Sequence, residues 1–232
     1  MMIKHYLKVA FRNLAKYKVQ SIVSILGLAV GFVCFALSTL WIRYEMTYDT
    51  FHEGAERIYL VRAHYAHEPG KISNSTPYPL ADYLQKGNPE IEAMASTSVQ
   101  KVKFRVKDTE KDVVSATADS VLMNFFNIRV LRGTVNFLKG TNGEIAITEE
   151  FSKRIFGEEE ALGREVEVSG HASKVGAIVS GWSSHSNIPY SILTSARHYT
   201  QWGSANENLF VRIRKGTNGE EFQKKIAALR IN

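Results

Sequence analysis

From Val19 to Ile42 the chain runs for twenty-four residues without a charged side chain. As a helix rising about 1.5 Å per residue, this run reaches roughly 36 Å, enough for a hydrocarbon core of about 30 Å. The segment therefore predicts a single membrane crossing. Lys4, Lys8, Arg12, Lys16 and Lys18 crowd its leading end, while Arg43, Glu45 and Asp49 follow it. The positive-inside bias then keeps the N-terminus in the cytoplasm and sends everything after Arg43 across the membrane. A cleaved signal peptide also starts basic, but its apolar region usually spans only about 7 to 15 residues before a small-residue cleavage site. Here the run is longer, and Ser38-Thr39-Leu40-Trp41 is a poor cleavage signature. A lipid anchor on Cys34 fails as well, because bulky Phe32 and Val33 precede it. Trp41 and Tyr44 instead fit an interfacial belt at the outer end.

Ahead of the span, Ile3, Tyr6, Leu7, Ala10, Phe11 and Leu14 recur at helical spacing, with Lys4, Lys8, Arg12, Asn13 and Lys16 on the other side. Such an amphipathic helix suits the cytoplasmic leaflet, with Ile3, Leu7, Phe11 and Leu14 as its apolar face. Within the span, Gly27 and Gly31 form a GxxxG flanked by Ser24 and Ser38. Small residues at that spacing let a second helix approach closely.

The formal charge of +6 misleads until it is divided. Removing the five N-terminal bases from 29 Lys and Arg leaves 24 against 23 acids, so the remainder is nearly neutral. A nucleic-acid partner would need a clustered basic face, and the excess sits beside the membrane instead. The sole cysteine, Cys34, lies in the span, so the exported part contains no disulfide and must be held together by burial.

Beyond the span, strands and helices alternate. Arg57 to Ala66 reads as a strand. Thr76 is the expected N-cap of a helix with Pro77 in its first turn, ending near Gly87. Val99 to Val106 and Val113 to Ala118 read as strands joined by a polar tip at residues 107–111. Alternation of Val102, Phe104 and Val106 with Lys101, Lys103, Arg105 and Lys107 gives one dry face and one solvated face. A short helix is expected from Asp119 to Phe126. Glu144 to Thr148 reads as a strand, and Glu149 to Phe156 as a helix stopped by Gly157 in a left-handed cap. Arg164 to Val168 and Lys174 to Gly181 form a hairpin across Ser169-Gly170-His171. Asn208 to Arg214 is a strand, and a final helix opens with a capping box from Thr217 to Glu220.

Chemistry is hard to place on this chain. His64, His67 and Glu68 suggest a metal, yet strand residues three apart face opposite ways. Ser183-Ser184-His185-Ser186 sets serine beside histidine, but sequence adjacency is no triad and no GxSxG elbow occurs. No GxxxxGK[ST] loop is present to cradle a nucleotide, and Asn74-Ser75-Thr76 fits a glycosylation sequon that matters only in a eukaryotic secretory route. No catalytic residue, cofactor or metal is expected.

Several segments carry a resemblance. Tyr6-Leu7-Lys8-Val9-Ala10-Phe11-Arg12-Asn13-Leu14, the stretch Ile25 to Gly31, and Tyr48-Asp49-Thr50-Phe51-His52 followed by Arg57-Ile58-Tyr59 resemble the start of bacterial ABC transporter permeases with a MacB-like periplasmic core domain and FtsX-like membrane region. It continues, in order, through Thr76 to Ala81, Asn88 to Glu92, Phe125-Phe126, Leu131-Arg132-Gly133, Ile147-Thr148-Glu149, Ile155-Phe156-Gly157, Ala161-Leu162-Gly163 and Ser184-His185-Ser186-Asn187.

The resemblance implies an α+β chain divided into a cytoplasmic amphipathic helix (1–18), a transmembrane helix (19–43) and a periplasmic core domain (44–232). It implies a non-catalytic permease subunit, dimeric or joined to further permease segments, that couples a separate or fused ABC ATPase to periplasmic domains. The family continues into at least three further spans, and no later uncharged run in this sequence approaches about 18 residues. A truncated gene, a half that assembles with another chain, and a domain kept for a simpler role each account for that departure. The competing expectation is a membrane-anchored periplasmic binding or sensing domain.

Overall fold

The structure, a computed structural model, describes residues 2–66, 68–182, 186 and 188–230, with only the backbone for residues 2–4, 7, 10 and 11. His67, the 183–185 segment and Asn187 lie outside the described residues. The chain forms two compact units, Met1–Tyr48 and Asp49–Asn232.

The first unit is helical: α1 spans Met2–Lys16 and α2 spans Lys18–Met46. The expected uncharged run sits inside α2, which extends a few residues beyond it at the C-terminal end. None of its side chains is buried. Among the described residues it is the one helix long and apolar enough to cross a membrane.

The second unit contains β1 (Ile58–Leu60), β2 (Ser75–Pro77), α3 (Pro79–Gly87), β3 (Ile91–Thr97), β4 (Val99–Val106), β5 (Thr109–Ala118) and α4 (Ser120–Phe125). It continues with β6 (Val130–Gly133), β7 (Glu144–Thr148), α5 (Glu149–Phe156), β8 (Glu165–Val168), β9 (His171–Val179), β10 (Ile192–Ser195), β11 (Ala205–Ile213) and α6 (Gly219–Ala227). The α+β expectation is met.

Two sheets carry this unit. In the smaller, β11 is central and antiparallel to all its partners, with β3 along one edge and β1 and β2 sharing the other. In the larger, the order is β6-β9-β7-β10-β5-β4-β8, and β8 also pairs with β9, so six strands close into a ring. The β5–β10 and β7–β9 pairs are parallel; the others are antiparallel.

Three apolar clusters hold the layers. Leu80 and Leu84 of α3, four apart and so on one helix face, meet Phe222 of α6 against Leu209, Val211 and Ile213 of β11. Phe104, Ile147, Phe151 and Val175 fill one side of the large sheet. Between the sheets, Phe125 and Phe126 of α4 and its C-cap pack with Phe210, Phe137 and Leu193. One cluster therefore joins both sheets.

Several expectations need correction. The strand expected over Arg57 to Ala66 shrinks to β1, because Arg57 closes a 3-10 turn and Ala63 makes only an isolated bridge to Ser73. Thr76 is not a helix cap. It lies in β2, wholly buried, and its Oγ1 donates to the Glu207 carbonyl at 3.0 Å. The helix begins three residues later, with Pro79 rather than Pro77 in its first turn, where a missing N–H costs nothing.

The tip between β4 and β5 is two residues, Lys107-Asp108, since Val106 already pairs with Thr109. The β8–β9 turn is likewise Ser169-Gly170 alone, both at positive φ, with Val168 paired to His171. That geometry follows the right-handed twist of the strands. Gly157 does end α5, its N–H donating to the Lys153 carbonyl at 2.9 Å, but with φ 61° and ψ −123° it is outside the left-handed helical well. The cap of α6 is Asn218, whose Oδ1 accepts from the N–H groups of Glu220 and Glu221, rather than Thr217. Strands β3, β6 and β10 had no counterpart in the sequence reading.

Candidate functional site

The residues singled out from sequence lie mostly in the first unit. Side chains of Ile3, Leu7 and Phe11 lie outside the described residues, whereas Leu14 and Tyr6 are exposed. Between α1 and α2 only Tyr17 departs from helical geometry. The hydrogen-bond ladder hardly breaks there: Tyr17 N–H donates to the Asn13 carbonyl at 3.0 Å, and Ser21 N–H donates to the Tyr17 carbonyl at 2.9 Å. Ser21 Oγ also donates to the Leu14 carbonyl at 3.2 Å. The joint is thus tied on both sides rather than being a slack linker.

Along α2 the hydroxyl of Thr39 is satisfied by the helix itself. Thr39 Oγ1 donates to the Phe35 carbonyl at 2.9 Å, as a hydroxyl in hydrocarbon must. Gly27 and Gly31 are open: a Cβ built on either meets nothing within 4 Å. Trp41 and Tyr44 are exposed and adjoin, ring centroids 6.4 Å apart, and Tyr48 packs edge-on to Tyr44 at 5.6 Å. An aromatic stripe therefore runs along one face of the last turns of the helix and just past its end.

In the second unit the structure joins two of the quoted motifs. Asp49, at positive φ, accepts a hydrogen bond from Ser186 Oγ, and the same oxygen accepts from Ile188 N–H at 3.2 Å. The chain entering the domain is thereby fastened to the segment after β9. Next to it the His52 ring is wedged among Phe51, Phe126 and Trp182. Burial holds its pKa below the ordinary histidine range, outweighing the pull of Asp49.

A half-buried ionic node, which the sequence reading missed, sits around His198. Its ring stacks on Tyr78, centroids 3.9 Å apart and 12° from parallel. Nε2 lies 3.1 Å from Asp119 Oδ2, and Nδ1 lies 3.7 Å from Glu207 Oε1. Asp119 is also the N-cap of α4, its Oδ1 accepting from Leu122 N–H at 2.7 Å. The hydrogen bond to Asp119 and then the contact with Glu207 raise the His198 pKa to about 9. Burial pushes the Asp119 carboxyl up, but the His198 and Leu122 hydrogen bonds outweigh it and leave it below its usual range. Nε2 is bonded to Asp119, while Nδ1 is buried without a hydrogen-bond partner and meets Glu207 only at ion-pair distance; the raised pKa keeps the ring protonated at neutral pH, which suits a structural cation rather than a base. It clamps α4, β11 and the start of α3 together. These residues are far apart in sequence, and no local spacing announces them.

Half of the basic stripe on β4 is paired within its own hairpin, Lys103 and Arg105 both bonding Glu110, while Lys107 meets Glu159 at 3.9 Å. His64 is exposed on the segment after β1. The serine–histidine run 183–185 lies outside the described residues.

With this geometry in view, the comparisons decide the family. Residues 21–229 match the model of the MacB-like periplasmic core domain. The chain belongs to that family. No curated protein matches the chain. Among solved structures, a permease-protein domain from Porphyromonas gingivalis is similar at 18% identity and a TM-score of 0.61, covering 75% of this chain and 82% of that one. The extracellular domain of the ABC-type transporter YknZ from Gram-positive bacteria is 14% identical with a TM-score of 0.51, covering 72% and 86%. The periplasmic region of MacB from Actinobacillus actinomycetemcomitans is 12% identical with a TM-score of 0.51, covering 73% and 79%. At these identities the likeness speaks for the fold alone. The MacB-like domain here is thus an ABC-type permease family module carrying one N-terminal apolar helix.

Proposed function

We propose that this chain is a non-catalytic permease subunit, the N-terminal portion of an ABC-type export or mechanotransmission system, coupling a cytoplasmic ATPase to an exported domain. The carrying observation is the family match over residues 21–229 together with a helix, α2, that has no buried side chain along 29 residues. A helix apolar on all sides, with no buried side chain of its own, is suited to lipid and to other helices. The proposed partition is residues 1–18 in the cytoplasm, 19–43 in the inner membrane and 44–232 outside, the orientation following the five leading cations.

Two local features support transmission of motion. Hydrogen bonds bridge the Tyr17 joint, so displacement of α1 is passed to α2 instead of being absorbed. At the domain's start, the Asp49–Ser186 bond ties the entering chain to the segment after β9. Partner helices, from a second copy or from further permease segments, would pack on Gly27 and Gly31, where the backbone is open. Trp41 and Tyr44 would hold the outer end at the interface. The apolar face of α1, with Ile3, Leu7, Phe11 and Leu14, would meet the ATPase or the inner leaflet.

The test is co-expression of the full chain with an ABC ATPase of the same family system, followed by co-purification. Leu14→Glu and Phe11→Glu are expected to abolish the association while leaving membrane insertion intact. Retention of the ATPase by both variants would refute the coupling role and favour an anchored binding or sensing domain.

A further inference from the structure

The Asp49–Asn232 unit contains a cleft of about 850 Å³, within the range of roughly 300–1,000 Å³ usual for small-molecule sites. Its floor is aromatic. His52, Phe126 and Trp182 pack mutually, each pair of ring centroids 4.9 Å apart. Because burial lowers the pKa of His52, that ring contributes an apolar surface more than a charge at neutral pH.

The walls are unlike the rest of the molecule. Beyond the membrane segment, bases and acids nearly balance. Around the cleft, Arg57, Arg129, Arg212, Arg214 and Lys215 face only Glu53 and Glu92, an excess of three positive charges. Glu92 is already taken by Arg57 at 2.6 Å. Among the described residues, Arg129, Arg212, Arg214 and Lys215 belong to no ion pair.

Arg212 is held in place from two directions. It donates through Nη2 to the Phe125 carbonyl, and its guanidinium carbon lies 4.4 Å from the centroid of the Phe125 ring. Its Nε–H, however, is buried without an acceptor, and so is the indole N–H of Trp182. Two residues with an unmatched donor and four cations outside any ion pair thus line a cleft with an aromatic floor, Arg214 being bonded through Nε to the Pro89 carbonyl at 2.9 Å. The planar fork of arginine suits carboxylate and phosphate oxygens, and such charge-assisted bonds strengthen away from water.

We propose that this cleft binds an oxyanion, phosphate or carboxylate, borne on an aromatic or acyl body that lies against His52, Phe126 and Trp182. Two sources share that chemistry: an anionic membrane amphiphile and a water-soluble ester. The site requires no ATPase, so it stands or falls separately from the coupling role.

The experiment uses the full chain in phosphatidylcholine nanodiscs, titrated with phenyl phosphate and followed by calorimetry and tryptophan fluorescence. Saturable one-to-one binding is expected, with inorganic phosphate competing more weakly because it lacks the ring. Arg129 and Lys215 are exposed, so R129Q with K215Q keeps the fold and is expected to weaken binding by about tenfold or more, as loss of charge-assisted contacts requires. W182F is expected to weaken binding and remove the fluorescence response. Absence of saturable binding, or affinity unchanged in the double variant, overturns the site; equal affinity for inorganic and phenyl phosphate overturns the role of the aromatic floor. Repeating the titration in discs containing phosphatidylglycerol separates the sources: displacement of phenyl phosphate assigns the site to a lipid, and an unchanged isotherm assigns it to a soluble ester.

Discussion

Helix α2 and strand β11 both carry large apolar side chains, yet they accommodate them in opposite ways. Along α2 no side chain is buried, and the backbone satisfies itself within one segment. In β11 five of nine residues are buried, and the backbone is satisfied only because β1, β2 and β3 lie alongside. An isolated β11 would leave its hydrogen bonds and its Leu209–Val211 face unmatched. The contrast teaches that α2 needs a solvent of hydrocarbon, whereas β11 needs the rest of the domain. It also locates the chain's cooperative stability in the Asp49–Asn232 unit.

The largest expected effect tests that division directly. Phe137 is fully buried between the sheets, so Phe137→Ala should cost about 3–5 kcal/mol of domain stability in urea unfolding followed by near-UV circular dichroism. Phe32 is exposed on α2, and Phe32→Ala should leave the same transition where it was. Equal shifts in the two variants would break the contrast.

A smaller effect sharpens it. His198 has a folded pKa of about 9 against an unfolded value near 6.5, so the folded state holds the extra proton between those limits. Its contribution is complete below about pH 6.5 and fades as pH rises through 9, a loss of roughly 2 kcal/mol after discounting for partial exposure. The urea midpoint should fall over that window in the native protein and stay flatter in His198→Gln. A midpoint equally steep in the variant would remove the node from the account. The smallest effect is on the hairpin surface: Glu110→Gln unpairs Lys103 and leaves Arg105 only Glu167, all of them solvent-accessible, and the midpoint should not move measurably.

How much was legible varied with how local the determinant was. The span, β4, β7, α5 and the β8–β9 hairpin could be read because length, alternation or a cap lies within a few consecutive residues. Alternation of Lys101, Lys103 and Arg105 with Val102 and Phe104 is visible without knowing what covers the dry face. Strand β3 could not be read. Its Ala93-Met94-Ala95-Ser96 core lacks β-branched residues, and it is a strand because β11 pairs along its whole length. Four-residue β6 ends at Gly133, where φ is 87° and a Cβ would come within 2.3 Å of the Gly176 carbonyl oxygen. That glycine answers to a neighbouring strand, not to its own segment. Thr76-Pro77 looked like a helix start because Thr and Pro favour one, yet pairing with β11 and burial of Thr76 override the local preference. The candidate sites divide similarly: Gly27, Gly31, Trp41 and Tyr44 follow from spacing, while the His198 node and the Arg212 cleft join residues more than a hundred positions apart.

By itself the sequence determined that this chain has one membrane-length helix behind a basic leader, a nearly neutral α+β remainder and the motif order of its family. Those properties depend on composition, period and length, which neighbours in the chain set. Only the tertiary structure decided which short segments become strands, where the ring of six closes and which charged residues meet. Each of these depends on pairing or desolvation supplied by distant parts of the chain, and no local pattern encodes a partner that lies across the fold.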